Sequence, residues 1–185
     1  MEQSRQNETD LLLGVTGSVA CYKACELTST LTQDGYAVDV VLTETASDMI
    51  APGTFRALSQ RTVYTDLFDE AEDRQPVHID LADRADLAVV APATANLIGK
   101  VANGIADDLL CSLLMAISSR IPVLICPAMN SNMYDNPFVQ ENISALRDAG
   151  YEFVEPDEGY MACGDVGEGR LATVDQILES VYRHV

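Results

Sequence analysis

The sequence predicts a parallel β-sheet with helices on both faces, doubly wound and contained in a single domain. Three observations lead there. Continuous runs of Val, Leu and Ile, rather than alternating ones, occur at 11–15, 38–42, 87–91 and 123–126, as strands buried on both faces require. Helical patterns stand between these runs. The 185 residues, 48% of them apolar, suffice for one core and one domain.

Strand one, at 11–15, ends in Thr16-Gly17-Ser18, and a helix follows over 19–34 with Ser18 as its cap and Gly35 as its stop. Residues 38–42 form strand two, closed by Thr43-Glu44-Thr45. Pro52-Gly53 breaks the next segment, and a helical turn or two covers 54–60. The acidic stretch 66–75 reads as an exposed loop. Strand three, 87–91, is stopped by Pro92. Helices are expected over 94–103 and 107–119, parted by Gly104, the second capped by Asp107. Strand four, 123–126, is stopped by Pro127. Asn136-Pro137 opens a helix that runs to Ala149, and 152–154 make a fifth short strand. Residues 155–171, rich in Gly and Pro and without periodicity, read as a long loop. Thr173 and Gln176 form a capping box for a last helix reaching about His184. Residues 1–9 are a polar tail without the hydrophobic core of an export signal, and 10–185 the domain. Such alternation is Rossmann-like and flavodoxin-like.

Composition excludes several function classes. Eleven Lys and Arg against 29 Asp and Glu give a net charge of −18, which disfavours nucleic acid because a phosphate backbone needs a basic patch. No apolar run approaches the roughly 20 residues of a membrane span. Five Cys without an export signal suggest a reducing, cytoplasmic compartment, and their spacing offers no metal site. Four of them read as small buried apolar residues. Cys163, in the Gly-rich segment, is the exception.

Right-handed crossovers place all strand C-termini along one edge, where ligands bind near the reversal of strand order. Four strand ends carry small hydroxyl, Gly or amide residues: Thr16-Gly17-Ser18, Thr43-Glu44-Thr45, Pro92-Ala93-Thr94-Ala95-Asn96 and Pro127-Ala128-Met129-Asn130. Any one of these turns is explained by helix capping; four on one edge favour a ligand whose phosphate and polar chain meet backbone N–H groups. The spacing Gly14-Val15-Thr16-Gly17 is wrong for a dinucleotide fingerprint, and the hydroxyls of Thr43 and Thr45 suit a phosphate better than a ribose diol. A mononucleotide such as FMN fits this pattern. From the residues alone, His78 is an ordinary core or surface histidine as readily as a base, and Asn130 a cap as readily as a ligand contact. Arg170 either meets a substrate phosphate or pairs with Glu168. Met129, Met133 and Met161 line a pocket or fill gaps.

With Gly17-Ser18-Val19-Ala20, His78-Ile79-Asp80-Leu81, Ala91-Pro92-Ala93-Thr94-Ala95-Asn96, Pro127-Ala128-Met129-Asn130-Ser131-Asn132-Met133 and Ala162-Cys163-Gly164-Asp165 in this order, the chain resembles the flavin-containing cysteine decarboxylases. It is most similar to those acting on 4′-phosphopantothenoylcysteine in coenzyme A biosynthesis. The resemblance implies FMN held between subunits of a homotrimer or an assembly of trimers. Its contacts would be Gly17, Ser18, Val19, Thr43, Thr45, Thr94, Ala95, Asn96, Leu97 and Ala128. It implies His78 as base, Cys163 as proton donor in a substrate clamp over about 155–172, and Asn130, Met133, Ala162 and Gly164 at the substrate. The implied chemistry oxidises the substrate thiol to a thioaldehyde, releases CO2 from the resulting electron sink and re-reduces the product. Cys163 fits that last reduction, whereas relatives that make peptide enethiols stop before it. A flavin-binding regulatory protein and a flavodoxin-like electron carrier are the alternatives from other classes; a clamp loop argues against the carrier. Two departures stand out: Tyr134 replaces a usual Trp, and Leu97 a usual Thr that would touch the flavin. A ligase is the partner that the resemblance suggests.

Overall fold

The computed structural model describes residues 9–68, 76–117, 120–160, 164 and 166–185. Six parallel strands form one sheet: β1 (Asp10–Val15), β2 (Ala37–Leu42), β3 (Val63–Tyr64), β4 (Leu87–Ala93), β5 (Val123–Pro127) and β6 (Glu152–Phe153). Their spatial order is β3-β2-β1-β4-β5-β6, so the chain winds outward from β1 and then returns to its other side. The reversal falls between β1 and β4, and the crevice above those two strands is where this topology receives ligands.

Both faces of the sheet are covered, which is why the strands read as unbroken apolar runs. Leu11, Leu13 and Val15 of β1 point into one core layer with Leu27 and Leu31 of α1 (Tyr22–Gln33) and Ile177 and Val181 of α9 (Val174–Tyr182). Leu12, one residue out of phase, points the other way. It packs in the layer that contains residues of α4 (Val77–Arg84), α5 (Ala95–Ala102), α6 (Leu109–Ile117) and α8 (Pro137–Asp148). Gly14 gives Leu110 its room in the second layer: a Cβ there would stand 2.6 Å from Leu110 Cδ1 and push that side chain aside. The capping box at Thr173 and Gln176 and the Pro-led helix after Asn136 form as expected.

Several expectations are corrected. Residues 155–171 are not a continuous loop: β7 (Asp157–Tyr160) and β8 (Val166–Arg170) pair as an antiparallel hairpin. Its strands bury little and hold three of the segment's four glycines, so ladder hydrogen bonds and not an apolar pattern define them. Pro92 does not end the third strand expected; β4 runs to Ala93 through a cis Ala91–Pro92 bond, the register shifting between Val90 and Ala93. Pro127 likewise closes β5 from within. Asp108, not Asp107, accepts the Cys111 amide at the start of α6 (2.8 Å). Three short helices escaped the periodicity: α2 (Glu44–Met49), α4, which carries His78, and α7 (Ser131–Tyr134). β3 also went unread. The tail at 1–8, the acidic positions 69–75, and Met161, Ala162 and Cys163 lie outside the described residues.

Candidate functional site

Along the C-terminal edge of the sheet, two concavities share the turn after β1. Thr16 builds the floor between them. Its side chain is buried, and its Oγ1 donates to the Pro92 carbonyl (2.8 Å) while accepting the Thr94 amide (3.1 Å). The ends of β1 and β4 are thereby tied across the reversal point. Nothing in the sequence pattern singled out Thr16 from its neighbours, since its role depends on a partner 76 residues away.

The first cavity, about 340 Å³, is lined by Gly17, Thr43, Thr45, Thr94, Asn96 and Leu97 among others. Six of the ten cofactor contacts expected from the sequence meet here. Gly17 makes the cradle possible: a Cβ at that position would lie 2.3 Å from Thr45 Cγ2. The hydroxyls of Thr43 and Thr94 cap α2 and α5, accepting from the amides of Ala46 (3.3 Å) and Leu97 (3.4 Å). Capping uses each oxygen as an acceptor, and its O–H remains a donor for a phosphate or polyol oxygen. Leu97 reaches the cavity wall although only 2% exposed, its bulk turned into the core with Ile98. At the far side the Lys100 ammonium sits between Asp107 (2.7 Å) and Asp108 (3.1 Å), and those hydrogen bonds raise its pKa. Burial works against the Asp108 carboxylate, but the Cys111 amide and Lys100 outweigh it and hold its pKa down. Asp107, Asp108 and Cys111 lie close enough together to ligate a metal, yet Lys100 already supplies the cation there.

The second cavity, about 470 Å³, continues from Ser18 and Val19 past Ala128, Met129 and Asn130 to the hairpin residues Tyr160, Gly169 and Arg170. Gly169 fastens the hairpin to the β5 turn: its carbonyl accepts the Met129 amide (2.9 Å). It has φ +130°, and a Cβ there would meet the Met129 carbonyl at 2.4 Å, so glycine is demanded twice. Asn130 lines this cavity and also caps α7, its Oδ1 accepting the Asn132 amide (2.9 Å). Lys23, which the sequence reading passed over, enters from α1 and donates to the Leu171 carbonyl (3.3 Å). Burial, and then the neighbouring charge of Arg170, lower the Lys23 pKa. Lys23 and Arg170 both line this cavity, with the charges of Asp157 and Glu26 partly offsetting theirs, so its wall offers two cations to an anion.

The remaining expected residues are placed elsewhere. His78 is the second residue of α4, half-buried, and lines neither cavity. Its Nδ1 is buried with no hydrogen-bond partner among the described residues. Ala95 starts α5 beside Thr94, Met133 is 48% exposed on α7, and Gly164 is exposed at φ +94°. None of the three lines a cavity described above. Tyr134 is buried under α7, its hydroxyl donating to Glu155 (3.1 Å); burial, with the Glu155 charge, pushes its pKa up to about 12. Cys21, Cys111 and Cys126 are buried and Cys25 half-buried. Burial raises the pKa of all four, so their thiols stay protonated.

A family model described as Flavoprotein matches residues 1–185. The coenzyme A biosynthesis bifunctional protein CoaBC of Bacillus subtilis is 53% identical over 178 residues, 96% of this chain but 43% of that protein's length. A probable phosphopantothenoylcysteine decarboxylase of Streptococcus mutans is 42% identical over 171 residues, covering 92% of this chain and 96% of the relative. Among solved structures, a PPC decarboxylase cysteine-to-serine mutant complexed with pantothenoylaminoethenethiol superposes with a TM-score of 0.87 at 29% identity, covering 96% of this chain and 98% of the other.

Proposed function

This chain belongs to the flavoprotein family, and from that premise we propose that it decarboxylates 4′-phosphopantothenoylcysteine to 4′-phosphopantetheine with FMN as its cofactor. The observation that carries the reading is a cavity with Asn130, Lys23 and Arg170 on its walls, adjoining a Gly17–threonine cradle. The proposed substrate has an anionic group at each end, a carboxylate and a phosphate, and this cavity offers an amide for one and two cations for the other. An Asn side chain hydrogen-bonds a carboxylate without adding a charge that would oppose its departure as CO2. A C-terminal peptide cysteine, the substrate of the enethiol-forming alternative, would leave the cationic pair unmatched.

The cradle suits the proposed cofactor by the test that Gly17 sets, since a larger residue would fill the space against Thr45. Thr43, Thr45, Thr94, Asn96 and the turn Gly17-Ser18-Val19 would hold its phosphate and polar chain, and Ala128 would border the ring. When bound, the flavin supplies the two-electron chemistry that turns a thiol-bearing carbon into an electron sink. The protein's own residues do the rest. Asn130 orients the carboxylate, Lys23 and Arg170 anchor the phosphate, and the hairpin excludes water. Cys163, outside the described residues, is proposed as the proton donor for the saturated product.

His78 is proposed as the base. Because it lines neither cavity of its own chain, we read the site as completed by a neighbouring copy in a trimer, or an assembly of trimers, each subunit lending His78 to the next. With Nδ1 buried and unpartnered among the described residues, Nε2 would exchange the proton. A ligase, fused or separate, is the proposed partner, in keeping with the bifunctional Bacillus subtilis relative. The proposed location is the cytoplasm; among the described residues no helix is long and apolar enough to cross a membrane.

Mass spectrometry of the product tests the reading. FMN-loaded protein incubated with 4′-phosphopantothenoylcysteine should yield a species lighter by CO2 alone. Loss of two further hydrogens would assign the chain to enethiol formation, and an unchanged substrate would remove the catalytic reading altogether.

A further inference from the structure

The hairpin over the second cavity is fastened at its root by three separate elements. The Met129 amide, from the turn after β5, donates to Gly169 (2.9 Å). Lys23, from α1, donates to the Leu171 carbonyl just beyond β8 (3.3 Å). The third tie comes from α9. Gln176 completes the capping box there: its Oε1 accepts the Thr173 amide (2.7 Å) and hydroxyl (2.8 Å), and its own amide donates to Thr173 Oγ1 (3.2 Å). A glutamate would serve a capping box equally well. What glutamine adds is a side-chain donor, and Nε2 uses it on Asp157 Oδ1 (3.2 Å). Asp157 opens β7, stands opposite Arg170 in the ladder, and its charge supports that of Lys23. Through one carboxylate, the start of the last helix therefore reaches the root of the hairpin, opposite the strand position of Arg170 and where the charge of Asp157 bears on Lys23.

We propose that Gln176 is a positioning residue for substrate capture: its Nε2 holds Asp157, and with it fixes the root of the β7–β8 hairpin and the Lys23–Arg170 pair. The inference rests on the proposed function only in treating that cavity as the substrate site. The link itself is a property of the fold. Gln176 lines neither cavity described above, and it acts through Asp157.

Two substitutions separate this role from helix capping. Gln176→Glu keeps the capping oxygen but replaces the donor with a charge facing Asp157. Asp157→Asn in the same chain reverses the polarity of the link, letting the asparagine amide donate to the new carboxylate. Hydrogen exchange of the FMN-loaded protein, read on peptides covering β7–β8 and α9, is the primary measurement. Gln176→Glu should speed exchange in the hairpin about tenfold, as loss of one charged hydrogen bond implies, with α9 unchanged. The double variant should return the hairpin to the parent rate. Asp157→Asn alone keeps a neutral acceptor for Nε2 and should exchange at a rate between those of the parent and Gln176→Glu. In turnover of 4′-phosphopantothenoylcysteine, Gln176→Glu should raise KM with little change in kcat.

Parent-like hairpin exchange in Gln176→Glu overturns the proposal, and so does a double variant as fast as the single one. Altered exchange in α9 alone reduces Gln176 to a cap and overturns it too. Exchange needs no substrate, so a parent protein that proves inactive on phosphopantothenoylcysteine sinks the proposed function while the exchange pattern still decides the link.

Discussion

At Asn130 the cap and the proposed ligand contact fall on one side chain. Oδ1 accepts the Asn132 amide, so the proposed substrate carboxylate would be met by Nδ2 as a donor. Asn130→Asp keeps the capping oxygen and puts a negative charge where the donor stood. It should melt within a degree or two of the parent yet lose at least about tenfold in kcat/KM, since leaving like charges together costs more than about 1.4 kcal/mol. Equal activity would remove Asn130 from the substrate site. Tyr134 allows a pH test. Burial and the Glu155 charge raise its pKa to about 12 from an ordinary value of 10.0. The folded state keeps the phenolic proton where the unfolded chain has lost it. The stabilisation is thus complete below pH 10 and disappears as pH climbs through 12. Tyr134→Phe, which loses the hydrogen bond to Glu155, should unfold about 1 kcal/mol more easily at pH 7. Denaturant titrations at rising pH should show that deficit shrinking above pH 10, whereas a constant deficit would contradict the assignment.

Strand ends are the elements on which the site depends, and Thr16 is their tie. Thr16→Val would leave the Thr94 amide without its acceptor and the Pro92 carbonyl with only the longer Thr16 backbone bond (3.3 Å), costing about 1–3 kcal/mol. Because the Thr94 turn borders the first cavity, flavin affinity should fall with stability, and Thr16→Ser should restore both; urea unfolding and flavin fluorescence titration measure the two effects. The major elements were legible because β1, β2, β4 and β5 are buried on both faces and so carry their assignment in unbroken apolar runs. The first cavity was legible for a related reason: strand-end turns of known polarity must share one edge. Three things stayed hidden. β3 is only two residues, too short for any period, whereas the equally short β6 was read at 152–154. The hairpin is held by backbone ladders and by Gly169 against Met129, which no side-chain pattern announces. Lys23 belongs to the second cavity only because helix α1 brings it beside Leu171, a contact across 148 residues.

At the scale of the molecule, the separation of His78 from both cavities requires more than one chain for the proposed chemistry. Light scattering should give a mass three times, or a multiple of three times, the 20.0 kDa chain. A monomer that decarboxylates at full rate would contradict the shared site. The charge of −18 resists assembly by self-repulsion, so the oligomer should loosen at low ionic strength and tighten as salt screens it. Beneath all of this lies one claim, that the edge above β1 and β4 receives a flavin mononucleotide. Its most direct test is the visible spectrum of the purified protein after desalting and, separately, after incubation with FMN. The account predicts flavin absorption that stays with the protein fraction in proportion to its sites; protein that elutes colourless after both treatments would contradict it.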